Sequence, residues 1–315
     1  MRPVTKLRRT WMVPILLLAA LLRLAQLPEL PLGLHYDEAA NLIITRQIAD
    51  AGYRPLFIQA YTGKEILFFY AAAPWVHMTG GTTWGLRLAA AMIGILTVAA
   101  TFAAVRAMFA GRRDAQTLAL LAAGWMAVAF PHILLSRYGF RAVIQPLLQA
   151  LTLAALWRGL RSGRAPWLGA AGLCLGLTGY TYLAARLFPL PLGLVMLWLL
   201  IRTPAADRPR RLRQLGLTFA VALAVFAPLG FLFLRQPSTF TTRISQVAAT
   251  SRGCSKSSQA RPRSMPVTER RARSWAQQAF CLSQRPSLLA SAASGSLRRL
   301  ASRAGTASWR CSRAR

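Results

Sequence analysis

Seven apolar runs occupy most of the first 235 residues, at about 11–27, 84–105, 117–135, 142–157, 167–183, 187–201 and 215–234. A hydrocarbon core of about 30 Å is crossed by roughly 20 apolar residues of helix, and inside it every backbone polar group must bond internally. Runs of this kind therefore read as membrane-spanning helices. Composition agrees, because 15% of the residues are charged, whereas soluble domains average about 25%. The predicted fold is all-α, a polytopic transmembrane bundle of about seven spans.

Charge placement gives the bundle a direction. The formal charge is +31, from 39 Lys and Arg against 8 Asp and Glu, a balance that in a soluble chain points to nucleic acid. Here the basic residues before position 250 sit mostly in short loops between apolar runs, which argues for membrane lipids as the neighbours and against nucleic acid. Arg2, Lys6, Arg8 and Arg9 precede the first run and place the N-terminus in the cytoplasm. The loops 106–113, 158–164 and 202–213 then fall on the same side, and they are the richest in Arg. The expected location is the cell membrane, multi-pass. Arg23 interrupts the first run and no A-x-A-like cleavage site follows it, so that run reads as an anchor and not as a signal peptide. Cys174, Cys254, Cys281 and Cys311 lack CxxC spacing, which suggests neither a zinc site nor a disulfide framework.

Composition changes near residue 250. Residues 1–250 form the transmembrane portion, and 251–315 carry 14 basic residues against Glu269, dense in Ser and Ala, with no run that could span. Such a segment reads as a disordered basic tail or as an out-of-frame translation of GC-rich DNA. The second reading makes the chain the front half of a larger protein.

The chemistry concentrates in the first outer loop, 28–83, and at the outer ends of later spans. Five of the eight acids lie in that loop, Asp37, Glu38 and Glu65 among them. His35-Tyr36-Asp37-Glu38-Ala39 opens an amphipathic helix running toward Ala51, where an acid would also serve as a helix cap. Residues 66–78 are apolar but too few to span, so they are predicted to form a helix lying at the interface. Lys64 and Glu65 immediately precede them, at headgroup depth. Arg137 and Arg141 stand in Ser136-Arg137-Tyr138-Gly139-Phe140-Arg141-Ala142, after His132, and Arg186 closes Tyr180-Thr181-Tyr182-Leu183-Ala184-Ala185-Arg186. Outer-face cations run against the loop bias. Phosphate binding through the guanidinium fork explains them, and interfacial anchoring is the alternative. A carboxylate beside Lys and Arg at this depth suits a reaction in which a lipid-linked phosphate departs.

In this order, a single span, HYDEA, GKEILFFY, WGLRLAA, SRYGFRA and GYTYLAARLFP resemble the GT-C superfamily of polyprenyl-phosphate-sugar glycosyltransferases. Within it the likeness is to the bacterial relatives of protein O-mannosyltransferases and of the aminoarabinose lipid A transferase, over roughly residues 11–235. The resemblance implies that Asp37 is the essential carboxylate, with Glu38 its usual neighbour. It implies that Lys64 contacts the carrier phosphate, and that Arg137, Arg141 and Arg186 occupy outer-face positions toward phosphate or acceptor. Glu65, His132, Tyr180 and Tyr182 stand beside them as candidate substrate contacts. Many relatives carry an acid before the cation or a Pro after it, where this chain has Gly63 and Glu65, and relatives have more spans.

The implied reaction moves a sugar from a polyprenyl phosphate to a glycan, lipid or protein acceptor on the outer face, inverting, with Asp37 as general base. No cofactor is required by this reading. A divalent metal at Asp37 and Glu38 is left open, without ligand spacing to support it. Two other readings stand beside it: a transporter subunit, against which the near absence of charge in the spans and of an internal repeat both weigh, and an inactive fragment of the glycosyltransferase.

Overall fold

The computed structural model describes residues 11–59 and 63–236. The boundary expected near 250 and the basic tail lie outside these residues. Among them the chain forms helices and no strand, in the order α1 (Met12–Leu24), α2 (Tyr36–Ala49), α3 (Leu67–Met78), α4 (Thr83–Met108), α5 (Ala115–Val128), α6 (Phe130–Arg137), α7 (Ile144–Ser162), α8 (Ala165–Thr178), α9 (Pro189–Arg202) and α10 (Arg208–Arg235). Short 3-10 turns, Arg141–Val143, Leu183–Leu187 and Ala205–Asp207, lead into α7, α9 and α10.

Each of the seven apolar runs contains helix, as predicted. Four stretches, Thr83–Met108, Arg141–Ser162, Leu183–Arg202 and Ala205–Arg235, are long and apolar enough to cross a bilayer, and α5 with α6 makes a fifth if the bent pair is one span. The remaining two, α1 and α8, are apolar but have only 13 and 14 residues. By length alone the count is thus four or five, because α1 ends at Leu24 and α8 at Thr178, before those runs do. The interfacial helix is present as α3, and it is packed inward: Phe68, Phe69, Ala72 and Val76 are buried against α2 and α4.

Helix α4 is the hub, touching α1, α3, α5, α6 and α7. On the other side, α8 lies between α7 and α10 through glycines. A Cβ at Gly172 would stand 2.4 Å from the Thr218 carbonyl oxygen and one at Gly176 2.6 Å from that of Ala222, so α8 and α10 meet backbone to backbone, as small residues spaced by four allow in membranes.

The bend between α5 and α6 has a local cause. Pro131 has no N–H, and its ring excludes a helical bond to the carbonyl four residues back, that of Ala127. Ala129 is extended and the axes part by 55°. Arg23 of α1, fully buried, supplies the missing donors: Nη1 donates to Ala127 O at 2.9 Å and Nη2 to Met126 O at 3.2 Å. Nη2 also lies 3.0 Å from Nδ1 of His132. The exchange is reciprocal. Arg137, at the end of α6, donates to Leu22 O at 3.0 Å, Ala25 O at 2.8 Å and Leu30 O at 3.1 Å, carbonyls at and beyond the end of α1. Gly94 of α4 lets both partners in, since a Cβ there would sit 2.2 Å from Ser136 Oγ and 3.0 Å from Arg23 Nε.

Candidate active site: a carboxylate and three cations at one end of the bundle

The start of α2, the segment before α3, the start of α7 and the turn between α8 and α9 converge at one end of the bundle. Tyr180 helps fix them: its carbonyl accepts from Leu67 N at 3.1 Å, joining the end of α8 to the start of α3. Its hydroxyl donates to Val225 O at 2.9 Å.

Helix α2 is capped by His35 and not by an acid, its Nδ1 accepting from Asp37 N at 3.2 Å. The His35 ring is held edge-on by Tyr138 and Phe140. With capping done elsewhere, the Asp37 carboxylate stands in the first turn, half exposed, 3.8 Å from Lys64 Nζ. Lys64 is buried and donates to Asn41 Oδ1 at 2.9 Å, and Asn41 in turn donates to Gly139 O at 3.2 Å. Backbone placement of Lys64 comes from an antiparallel bridge with Ile58, closed in both directions at 3.0 and 2.7 Å.

Glu65 belongs to a second group. Arg186 Nη2 reaches its Oε1 at 3.1 Å and Arg141 Nη1 its Oε2 at 3.6 Å, with all three side chains largely buried. Arg141 lies over the Tyr182 ring at 5.3 Å and Arg186 over the Phe233 ring at 4.7 Å, contacts that suit a planar guanidinium. Lys64 and Glu65 are consecutive residues, so one short segment links the Asp37 group to the paired arginines. These five side chains carry three formal positive and two formal negative charges, an excess of one positive, which suits a singly charged phosphodiester. From Arg186 an apolar groove of about 230 Å³ runs between α8, α9 and α10, walled by Leu175, Pro189, Phe219, Leu223 and Phe226.

Three expected site residues have other partners. Both oxygens of Glu38, which is fully buried, are taken by Arg87, Nε on Oε1 at 2.6 Å and Nη2 on Oε2 at 3.0 Å. Arg87 Nη2 also donates to Gly33 O at 2.9 Å, tying the loop to α4. Asp37 and Glu38 therefore face different neighbours and do not converge as a metal-ligand pair, and no cluster of three His, Cys, Asp or Glu that could hold a metal occurs among the described residues. Arg137 spends its guanidinium on the end of α1, and His132 is buried beside Arg23.

Asn41 and Arg87 were not singled out from the sequence, although signals existed. Asn41 follows Asp37 by four residues and so shares its helix face. Arg87 is an ionisable residue near the start of an apolar span, which calls for a partner.

The family model for dolichyl-phosphate-mannose-protein mannosyltransferases matches residues 37–237, from Asp37 to just beyond α10. The chain belongs to that family. No curated protein matches it. Membership in this mannosyltransferase family, together with the apolar helices, makes the chain a multi-pass membrane glycosyltransferase in general class. Every residue of the Asp37 and Arg141–Arg186 groups falls within the mannosyltransferase match.

Proposed function

We propose that the chain transfers a glycosyl group, mannosyl by its family's name, from a polyprenyl phosphate to an acceptor hydroxyl at the outer membrane face, with Asp37 as general base. The acceptor oxygen attacks the anomeric carbon as Asp37 takes its proton. The bond from that carbon to the phosphate oxygen breaks, the electron pair stays on the phosphate, and single displacement inverts the configuration. Arg141 and Arg186, oriented by Glu65, receive the departing phosphate where burial strengthens the interaction. Lys64 orients Asp37 and adds positive charge on the acceptor side. The groove beside Arg186 suits the branched apolar chain of the carrier, and a protein hydroxyl is the acceptor that the family name suggests.

The observation that carries this reading is Asp37, half exposed and released from capping, 3.8 Å from a buried lysine that adjoins the Glu65–arginine cluster. Glu38 keeps α2 on α4 and acts by positioning. The outer-face assignment rests on the arginine-rich loops at the opposite helix ends.

Asp37→Asn keeps size and removes the base. Mannosyl transfer from a purified polyprenyl-phosphate mannose to a peptide hydroxyl is expected to fall by about 10² to 10⁴-fold, with membrane insertion and thermal stability unchanged. Transfer at the wild-type rate by this variant would exclude Asp37 as the base.

A further inference from the structure

The helices that present Arg141 and Arg186 at one end close a second, basic cleft at the other. It has a volume of about 570 Å³ and lies between the last turns of α7 and α9 and the first turns of α10. Asp207, at the end of the 3-10 turn that leads into α10, and Arg210, Arg211 and Gln214 of α10 line it with spacings of three and four. Arg161 comes from α7 and Arg202 from α9. Trp157, Leu160 and Leu199 form its wall on the spanning side. Arg161 also borders a neighbouring cleft of about 420 Å³ with Phe102, Arg106 and Arg158. Four arginines against one acid make the first cleft strongly positive, and the N-terminal end of α10 adds its own partial charge.

A second observation points to a polar occupant. Gln214 is 6% exposed, yet its Nε2 has no hydrogen-bond acceptor among the described residues. Its Oε1 accepts from Arg211 Nη1 at 3.4 Å, which leaves Nε2 as the spare donor. Buried amide donors are seldom left so. The layering, guanidinium groups at the helix ends above Trp and Leu on the spans, matches a molecule with an anionic head and an apolar tail.

We propose that this cleft binds an anionic phospholipid, its headgroup phosphate among Arg161, Arg202, Arg210 and Arg211 and its acyl chains along Trp157, Leu160 and Leu199. Basic pockets between spanning helices on the arginine-rich side hold such headgroups by charge and depth together. The inference rests on the cleft and not on glycosyl transfer at the opposite end, so it stands or falls separately.

The test is native mass spectrometry of the purified full chain, titrated with phosphatidylglycerol, phosphatidylcholine or inorganic phosphate. Wild type is expected to retain phosphatidylglycerol over phosphatidylcholine, and inorganic phosphate at equal concentration is expected not to displace it. Arg202→Gln with Arg210→Gln should lower retention by roughly tenfold or more, since each surface arginine contributes about a factor of five toward an anionic lipid. Arg113→Gln with Arg213→Gln removes the same formal charge from exposed sites outside both clefts and should leave retention unchanged. Should the first pair fail to fold, Arg210→Gln alone serves, with a proportionally smaller loss. Equal loss from both pairs, equal retention of the two lipids, or displacement by inorganic phosphate would each overturn the proposal.

Discussion

Glu38 and Asp37 are neighbours in sequence with opposite situations. The first has no exposed surface and a two-point bond to Arg87, and the second is half exposed beside Lys64. A buried pair of this kind contributes little against an apolar substitute but is costly to break, because the remaining ion stays desolvated. Glu38→Gln is therefore expected to destabilise the protein by about 3–5 kcal/mol, read as a fall in the thermal transition in detergent, whereas Asp37→Asn leaves that transition in place. If the two variants behave alike in stability, the division of labour is wrong. Gly139 shares this neighbourhood: its φ of +62 favours glycine and a Cβ would meet Leu86 at 3.0 Å, so the carbonyl that accepts from Asn41 depends on the missing side chain.

Among the elements, the α5–α6 elbow is the one whose geometry has a named cause and a named support. Arg23 makes good the carbonyls that Pro131 and the extended Ala129 leave open. Arg23→Leu keeps much of the apolar bulk and removes these donors. Leaving Met126 and Ala127 carbonyls buried without partners is expected to cost about 2–6 kcal/mol, at roughly 1–3 kcal/mol each, measured as a lower thermal transition and faster proteolysis at the elbow. An unchanged transition would show that water reaches the break.

The elbow also marks where sequence reading stops. A run at 117–135 reads as one span because hydropathy averages over Pro131, and only a neighbour's side chain shows how the break is held. Arg23 looked like an interruption for the same reason: its partners at the elbow lie more than 100 residues away. Helix α2 and the placement of Asp37 and Lys64 in one loop were legible, since capping and periodicity are local. Which arginines meet Glu65 was not legible, for it depends on how α7 and the turn before α9 return to one end.

For the molecule as a whole, the two ends of α7 and α9 carry different chemistry on the same helices, Arg141 and Arg186 at one end and Arg161 and Arg202 at the other. The bundle thus separates a cationic cluster bound to its own carboxylate, Glu65, from an arginine cleft with a single acid at its edge. Helix α8 joins the two and is short. Its 14 residues reach about 21 Å, against a hydrocarbon thickness of about 30 Å. Lipid beside it must thin or let headgroups sink, and its C-terminal end adjoins the turn that holds Arg186. The headgroup plane is then drawn inward at the place where a carrier phosphate would meet Arg186, so transfer should depend on bilayer thickness. Reconstitution in phosphatidylcholines of increasing chain length is expected to slow transfer progressively, while a flat profile would mean that α8 is screened from lipid. A progressive fall would give this chain a preferred membrane thickness, set by the length of one helix.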